Sequence, residues 1–573
     1  YPHTGPAETE GLMGCHREVK TITSRYWKHI LLVVIPLITI PLNLVGSRDK
    51  ASRCLYLTVN LFFFWCFNIM PAELIGILPI VLFPLFGVNS TQEVCSYYLN
   101  ADTFLLLSSM FAGVAMETTG LNVRIANKIL LLMGTSLLKI GGAVLFPALL
   151  LSVFIPSTLV AILTLSVANA TMTTLRQHDL NPRGVSKLRR NINSAVSLTD
   201  LGMPSDVWEE PGPDREPLQD VTARKEEHHK VKICLILCTG YITLIGSSAM
   251  LTSPINNELN NIFHQYYNHT ELTPEAWMGC SLPTLMICAV MIWMYFYWSN
   301  ISFSTETSEE NIMESLKGEV SMQRPMATSE KIVLGTFIIW TFVLMTLDPG
   351  FVRGWSFPES DSIAPATPVA LLALLYFAIP AEPASLFHND RFEYSGGHKK
   401  NIIDYRWAFQ SIPWSAFIIQ GASNALGNCV KTSGLGAQIS DSIPAMVGFS
   451  LVSLVLMMGI IGVSLSQLLP SNVAIAIILP GIIRLAEMKK VNPLFLTIPA
   501  TLASTYAFVF PVANHVNSAI FTLAKLKHWE MVKPGLILNL MCFFIINIMV
   551  NTLTIAVFNL YHYPDWAHGT VPH

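Results

Sequence analysis

Long apolar runs separated by polar segments dominate the chain. Runs 30–46, 54–70, 74–88, 103–116, 233–251, 278–298, 332–347, 366–379, 414–426, 494–524 and 535–558 cross a bilayer or nearly do. A perpendicular span needs about 20 residues, so the shorter runs hold only inside a packed bundle. Two further runs, 140–165 and 445–483, carry polar breaks: Pro156-Ser157-Thr158 in one and Pro470-Ser471-Asn472-Val473 in the other. Polar backbone at membrane depth is tolerated where it lines a cavity or is buried in protein. We read both as re-entrant helical hairpins, 138–171 and 445–483.

The breaks repeat. Thr118-Thr119-Gly120-Leu121 precedes the first and Thr432-Ser433-Gly434-Leu435 the second. Ser157 follows Gly120 by 37 residues, and Ser471 follows Gly434 by the same 37. Paired broken segments in two halves of a membrane protein point to a transporter's binding site. Two ordinary proline-kinked helices are the alternative.

Lysine and arginine orient the spans. Arg17, Lys20, Arg25 and Lys28 make 1–29 a cytoplasmic tail. Arg124 and Lys128 mark the inner side, and the basic, hydrophilic segment 172–232 is a cytoplasmic loop. Segment 253–275 has no Lys or Arg and carries Asn268-His269-Thr270, a glycosylation sequon that suits the outside. The expected organisation is a first span plus first repeat over 30–298, a cytoplasmic linker 299–331, the second repeat over 332–560 and an extracellular tail 561–573. Arg48, Lys50 and Arg53, and Arg484, Lys489 and Lys490, fall on the outer side against the rule. The fold class is an all-α polytopic membrane protein of about eleven spans and two hairpins of opposite orientation.

Composition agrees. Hydrophobic residues make up 52% and charged ones 13%, with mean hydropathy +0.48; a soluble domain carries about 25% charge. The ten cysteines form no CxxC pair. Cys234 and Cys238 share a helix face and read as small buried hydrophobes rather than metal ligands. Residues 1–23 have no signal-peptide core, so the first apolar run serves as the insertion signal. No paired intramembrane acids or His–acid constellation argues for an enzyme. Glu117 reads as an interfacial anchor, and His228-His229 as charged-loop residues rather than metal ligands.

Six pieces carry a family likeness: Leu82-Phe83-Pro84-Leu85-Phe86, LNVRIA from Leu121 to Ala126, Asp348-Pro349-Gly350-Phe351 with Gly354-Trp355, Asn492-Pro493-Leu494-Phe495, Phe508 to Ala513, and Tyr563-Pro564-Asp565-Trp566-Ala567. On these the chain resembles the divalent anion–sodium symporter family of citrate, dicarboxylate and sulfate carriers, as a divergent member. The resemblance implies an elevator-type secondary transporter and a homodimer in the plasma membrane. It implies no cofactor beyond sodium as coupling ion. A transport unit would hold both hairpins and broken fifth and tenth helices.

The family carries a Ser-Asn-Thr or Ser-Asn-Val triplet at each hairpin tip, with two unwound loops beside them. Carried over, substrate contacts fall on Ser157, Thr158, Ser471, Asn472, Val473, Asn514, His515 and Asn517. Ion contacts fall on Ser152, Ser157, Gly246, Ser247, Asn472 and Ala513. Hydroxyl, amide and backbone oxygens suit both a hard cation and a carboxylate's surroundings. The site departs from the family pattern: Pro156-Ser157 replaces Ser-Asn at the first tip, Gln467 replaces a Thr, and Asn514-His515-Val516 replaces Thr-Pro-Pro. His515 would bring a titratable ring to the substrate. The proposed site holds no Lys or Arg, so substrate charge needs bound cations, helix ends or protonation. A sodium-independent exchanger, or a non-transporting sensor or scaffold acting through 172–232, is the rival reading.

Overall fold

The computed structural model describes residues 26–42, 49–180, 218–267, 271–303, 305, 309–347, 354, 363–381, 401–558, 560 and 562–568, with side chains from 223 onward in the segment that starts at 218. Asn268 and most of the 348–355 motif lie outside them. Among the described residues the named elements are all helices; Pro380 and Asn401 form an isolated bridge.

The first half comprises α1 (Tyr26–Leu42), α2 (Lys50–Cys66), α3 (Ala72–Leu85), α4 (Thr91–Ser96), α5 (Ala101–Thr119), α6 (Leu121–Met133), α7 (Leu137–Phe154), α8 (Ser157–Leu180), α9 (Leu218–Ser247), α10 (Pro254–Tyr266) and α11 (Pro274–Ser299). A polar helix, α12 (Glu309–Met322), leads to the second half: α13 (Thr328–Leu347), α14 (Ala366–Ala378), α15 (Tyr405–Ser411), α16 (Trp414–Thr432), α17 (Leu435–Ser442), α18 (Leu451–Ser466), α19 (Ser471–Lys489), α20 (Pro493–Thr505), α21 (His515–Leu523), α22 (His528–Met549) and α23 (Ile555–Phe558). Eight described helical segments are long and apolar enough to cross a membrane, and five shorter apolar helices accompany them. The chain is an all-α polytopic membrane protein.

The repeat seen in the sequence has a backbone cause. Gly120 (φ 77°) ends α5 and opens α6, and Gly434 (φ 82°) stands at the same place between α16 and α17. A Cβ at either would meet nothing within 4 Å, so glycine is required by its left-handed φ alone. Both then lead, 37 residues on, to a helix that restarts at Ser157 or Ser471. Each predicted hairpin is thus two helices joined by a break, α7–α8 and α18–α19.

Two runs break as the resemblance implies, and one expectation shifts. The tenth run, 494–524, is two helices, with 506–514 non-helical between them. The fifth run, 233–251, stops at Ser247, because the chain turns at 248–253 before α10; what shifts is the loop that precedes it. The ends of the segment 172–232 are helical: α8 continues to Leu180 and α9 begins at Leu218. Buried His178 explains part of this. Its Nε2 lies 3.0 Å from Glu319 and its Nδ1 3.0 Å from Ser315, both on α12. Asp179 also accepts from His228 Nε2 at 2.9 Å. His228 is therefore a packed ring rather than a loop residue.

Candidate functional site

At the first break, Pro156 holds Ile155 in an extended conformation (φ −116°, ψ 144°), as a residue before proline prefers. The Pro156 carbonyl then accepts from Leu159 and Val160 as α8 begins. Thr158 is buried and Ser157 half-buried. Ser152, on the last turn of α7, is buried and donates to the Leu149 carbonyl at 2.8 Å. It abuts Gly246 of α9: a Cβ there would collide with Ser152 Oγ and stand 2.9 Å from the Leu149 oxygen. Two of the predicted ion-site residues are thus brought together across 94 positions of sequence.

At the second break, Pro470 precedes α19, where Ser471 and Val473 are buried and Asn472 half-buried. Asn472 Oδ1 accepts from the Val473 N–H at 2.9 Å. Gly427 of α16 sits against this tip; a Cβ there would stand 3.0 Å from Pro470 and 3.1 Å from Val473. Gln467 Oε1 accepts from the Val509 N–H at 3.1 Å, which ties the hairpin to the unwound stretch between α20 and α21.

The two unwound stretches satisfy their freed backbone with side chains, as buried amides require. In the first, Asn256 and Trp277 both donate to the Ser248 carbonyl, Asn256 also to Met250 (2.7 Å), and Ser281 to Ala249 (3.0 Å). Ser247 donates to Leu244, and Ser248 Oγ lies 3.0 Å from the Tyr506 hydroxyl, which links the two stretches. In the second, Asn514 and Asn517 each donate Nδ2 to the Ala507 carbonyl at 2.9 Å, and Asn517 also to Phe510 at 3.0 Å. Asn514 Oδ1 caps α21 by accepting from the Asn517 N–H at 2.8 Å. Both amides therefore hold the stretch in shape, and Asn517 keeps only Oδ1 unpaired. Ala513 is buried beside them. His515 opens α21 with Nε2 4.0 Å from Asp102 Oδ2, a carboxylate on the first turn of α5.

Several buried polar atoms have no hydrogen-bond partner among the described residues. Ser466 Oγ, Gln467 Nε2 and Ser471 Oγ lie at the second break, Ser504 Oγ on α20 and Asn517 Oδ1 on α21. Gln420 Oε1, Ser423 Oγ and Asn424 Nδ2 add a face of α16 that also carries Gly427. Unpaired buried polar atoms are uncommon and call for a ligand or water. Sequence reasoning missed Ser466, although it stands five residues before Ser471, as Ser152 stands before Ser157. It also missed Gln420, Ser423 and Asn424, whose spacing of three and four residues puts them on one helix face. Asp102 carries no sequence signal. Among the described residues, no three His, Cys, Asp or Glu side chains form a metal-binding group.

A profile of the family described as the sodium:sulfate symporter transmembrane region matches residues 23–560. Among similar proteins, solute carrier family 13 member 1 of Rattus norvegicus is 26% identical over 95% of this chain and 98% of its own length. Na(+)/dicarboxylate cotransporter 3 of Homo sapiens is 26% identical over 94% of each chain. The Na(+)/citrate cotransporter of Rattus norvegicus is 25% identical over 96% of this chain and 99% of its own. With a match across nearly the whole membrane region, the chain belongs to the sodium:sulfate symporter family, a family of transporters rather than enzymes.

Proposed function

We propose that the chain is a secondary active transporter of small divalent anions, di- and tricarboxylates or sulfate, coupled to sodium. The observation that carries this is the set of unpaired buried oxygens and amides at the second helix break and on the helices that face it. Substrate sits between Ser157-Thr158 and Ser471-Asn472-Val473. Cations sit at Ser152 with Gly246-Ser247, and at Ser466 with Asn472 and Ala513. With no Lys or Arg among these residues, bound cations offset the substrate's charge. His515, Asn514 and Asn517 frame the substrate, the last two by holding the unwound stretch. The two hairpins and the broken helices α9–α10 and α20–α21 move as one unit in a plasma-membrane homodimer. The N-terminus is inside, and Asn268 is glycosylated outside.

A second reading, sodium-independent exchange tuned by protons, is favoured by the approach of His515 to Asp102 and by the loss of asparagine at the first tip. Uptake of radiolabelled succinate, citrate and sulfate into proteoliposomes, in sodium and in choline, at pH 6 and 7.5, separates the readings. Sodium-dependent uptake of one substrate supports the first. Sodium-indifferent uptake whose pH profile flattens in His515→Asn supports the second. No uptake from well-folded protein refutes both and leaves a sensor or scaffold.

A further inference from the structure

A cavity of about 340 Å³ lies apart from the residues above. Three helices wall it, each with one face at i, i+3, i+4, i+7 spacing: Met110 to Glu117 on α5, Ile162 to Asn169 on α8 and His229 to Ile236 on α9. The C-terminal end of α21 and the turn Ser411-Ile412-Pro413 between α15 and α16 complete it. The polarity is graded along these faces. Lys232, Lys525, His229 and Glu117 gather at one end, while Met110, Gly113, Ile162 and Ile236 form the other. Neither Lys232 nor Lys525 makes an ion pair among the described residues. Arg176 adds a further positive charge near Lys232. Glu117, exposed at the same end, accepts from Ser166 Oγ at 3.1 Å, and Ser166 in turn accepts from Asn122 at 3.2 Å, so the two lysines share this end with one carboxylate.

The apolar end closes where α5 and α8 touch: a Cβ at Gly113 would stand 2.7 Å from Ile162. Five residues of α8 separate Ile162 from Ser157, about 7 Å along a helix. The cavity therefore stops one and a half turns short of the first hairpin tip.

We propose that this cavity is a staging site for the small dianion. Lys232 and Lys525 hold the carboxylates at the mouth, and the Gly113–Ile162 contact is the apolar gate to the first tip. The inference rests on the transport reading. Lys232 and Lys525 outnumber the single carboxylate of Glu117 at this end, and apolar walls that carry such an excess of one charge raise the local concentration of counter-ions by roughly tenfold or more. Two lysines at such a mouth supply this for a dicarboxylate, which the uncharged tip by itself does not.

The test uses the full chain with Cys15, Cys66, Cys95 and Cys234 replaced by serine and Asn169→Cys at the mouth, labelled by a membrane-impermeant thiol reagent, with succinate as protectant. Succinate slows labelling, and the concentration that halves it rises about tenfold when Lys232→Gln and Lys525→Gln are added. Single-side efflux or uptake through this mouth shows the same rise in half-saturation, and the opposite face does not. Labelling indifferent to succinate, or protection unchanged in the lysine variants, overturns the staging site. Protection without transport keeps the site and sinks the transport reading, and transport without protection does the reverse.

Discussion

Replacing Gly246 by alanine tests how the proposed first ion site is built. The added Cβ collides with Ser152 Oγ, comes 3.1 Å from Ser152 Cβ and stands 2.9 Å from the Leu149 carbonyl oxygen. The first obstacle is a short side chain whose hydroxyl is committed to Leu149, and the last is helix backbone, so neither yields freely. Overpacking of this kind costs about 1–3 kcal/mol. At 1.4 kcal/mol per decade, the population with α7 and α9 in register falls roughly 5- to 150-fold. The assay is a pair: melting temperature of detergent-purified protein, and uptake normalised to surface protein. Gly246→Ala lowers both. Adding Ser152→Gly removes two of the three collisions, so it restores part of the melting temperature, with a coupling of about 0.5–3 kcal/mol. Uptake stays low in the double variant if Ser152 is the ion ligand proposed above. Gly279→Ala, with no atom within 4 Å, is the control and leaves both unchanged. If Gly246→Ala melts like wild type, or if Ser152→Gly adds its own loss with no recovery, the close approach is not what shapes the site.

Other predictions follow from the same contacts. Gly120→Ala and Gly434→Ala meet no steric obstacle but force alanine into a left-handed φ, so each costs about 1–2 kcal/mol in melting experiments, alike in both halves. Gln467→Leu strips the Val509 N–H of its acceptor in a buried place, which costs about 1–3 kcal/mol and loosens the second unwound stretch; unchanged stability would refute the tie. The His178 hydrogen bond holds the Glu319 carboxyl below its ordinary range. A depressed carboxyl stabilises above its unfolded pKa of about 4.3 and loses that stabilisation as pH falls through the folded value. Acid, not alkali, therefore frees α12, read as hydrogen-exchange protection factors over 309–322 that fall on acidification in the wild type and do not fall in Glu319→Gln.

The sequence by itself determined where the chain is apolar, where it breaks and that the breaks repeat. Span length, proline and left-handed glycine are local matters, legible at Pro156, Pro470, Gly120 and Gly434. It also named residues that do meet, Ser152 and Gly246 among them, though only through the family pattern. Tertiary structure alone decided what those residues are free to do. Asn514 and Asn517 look like ligands in sequence, yet their amides are taken by the Ala507 and Phe510 carbonyls of an unwound stretch. Asp102 comes to His515 from more than 400 residues away. The lysine-mouthed cavity arises from helices distant in sequence. Which polar atoms stay unpaired depends on which partners arrive from elsewhere in the chain, and no local pattern carries that information.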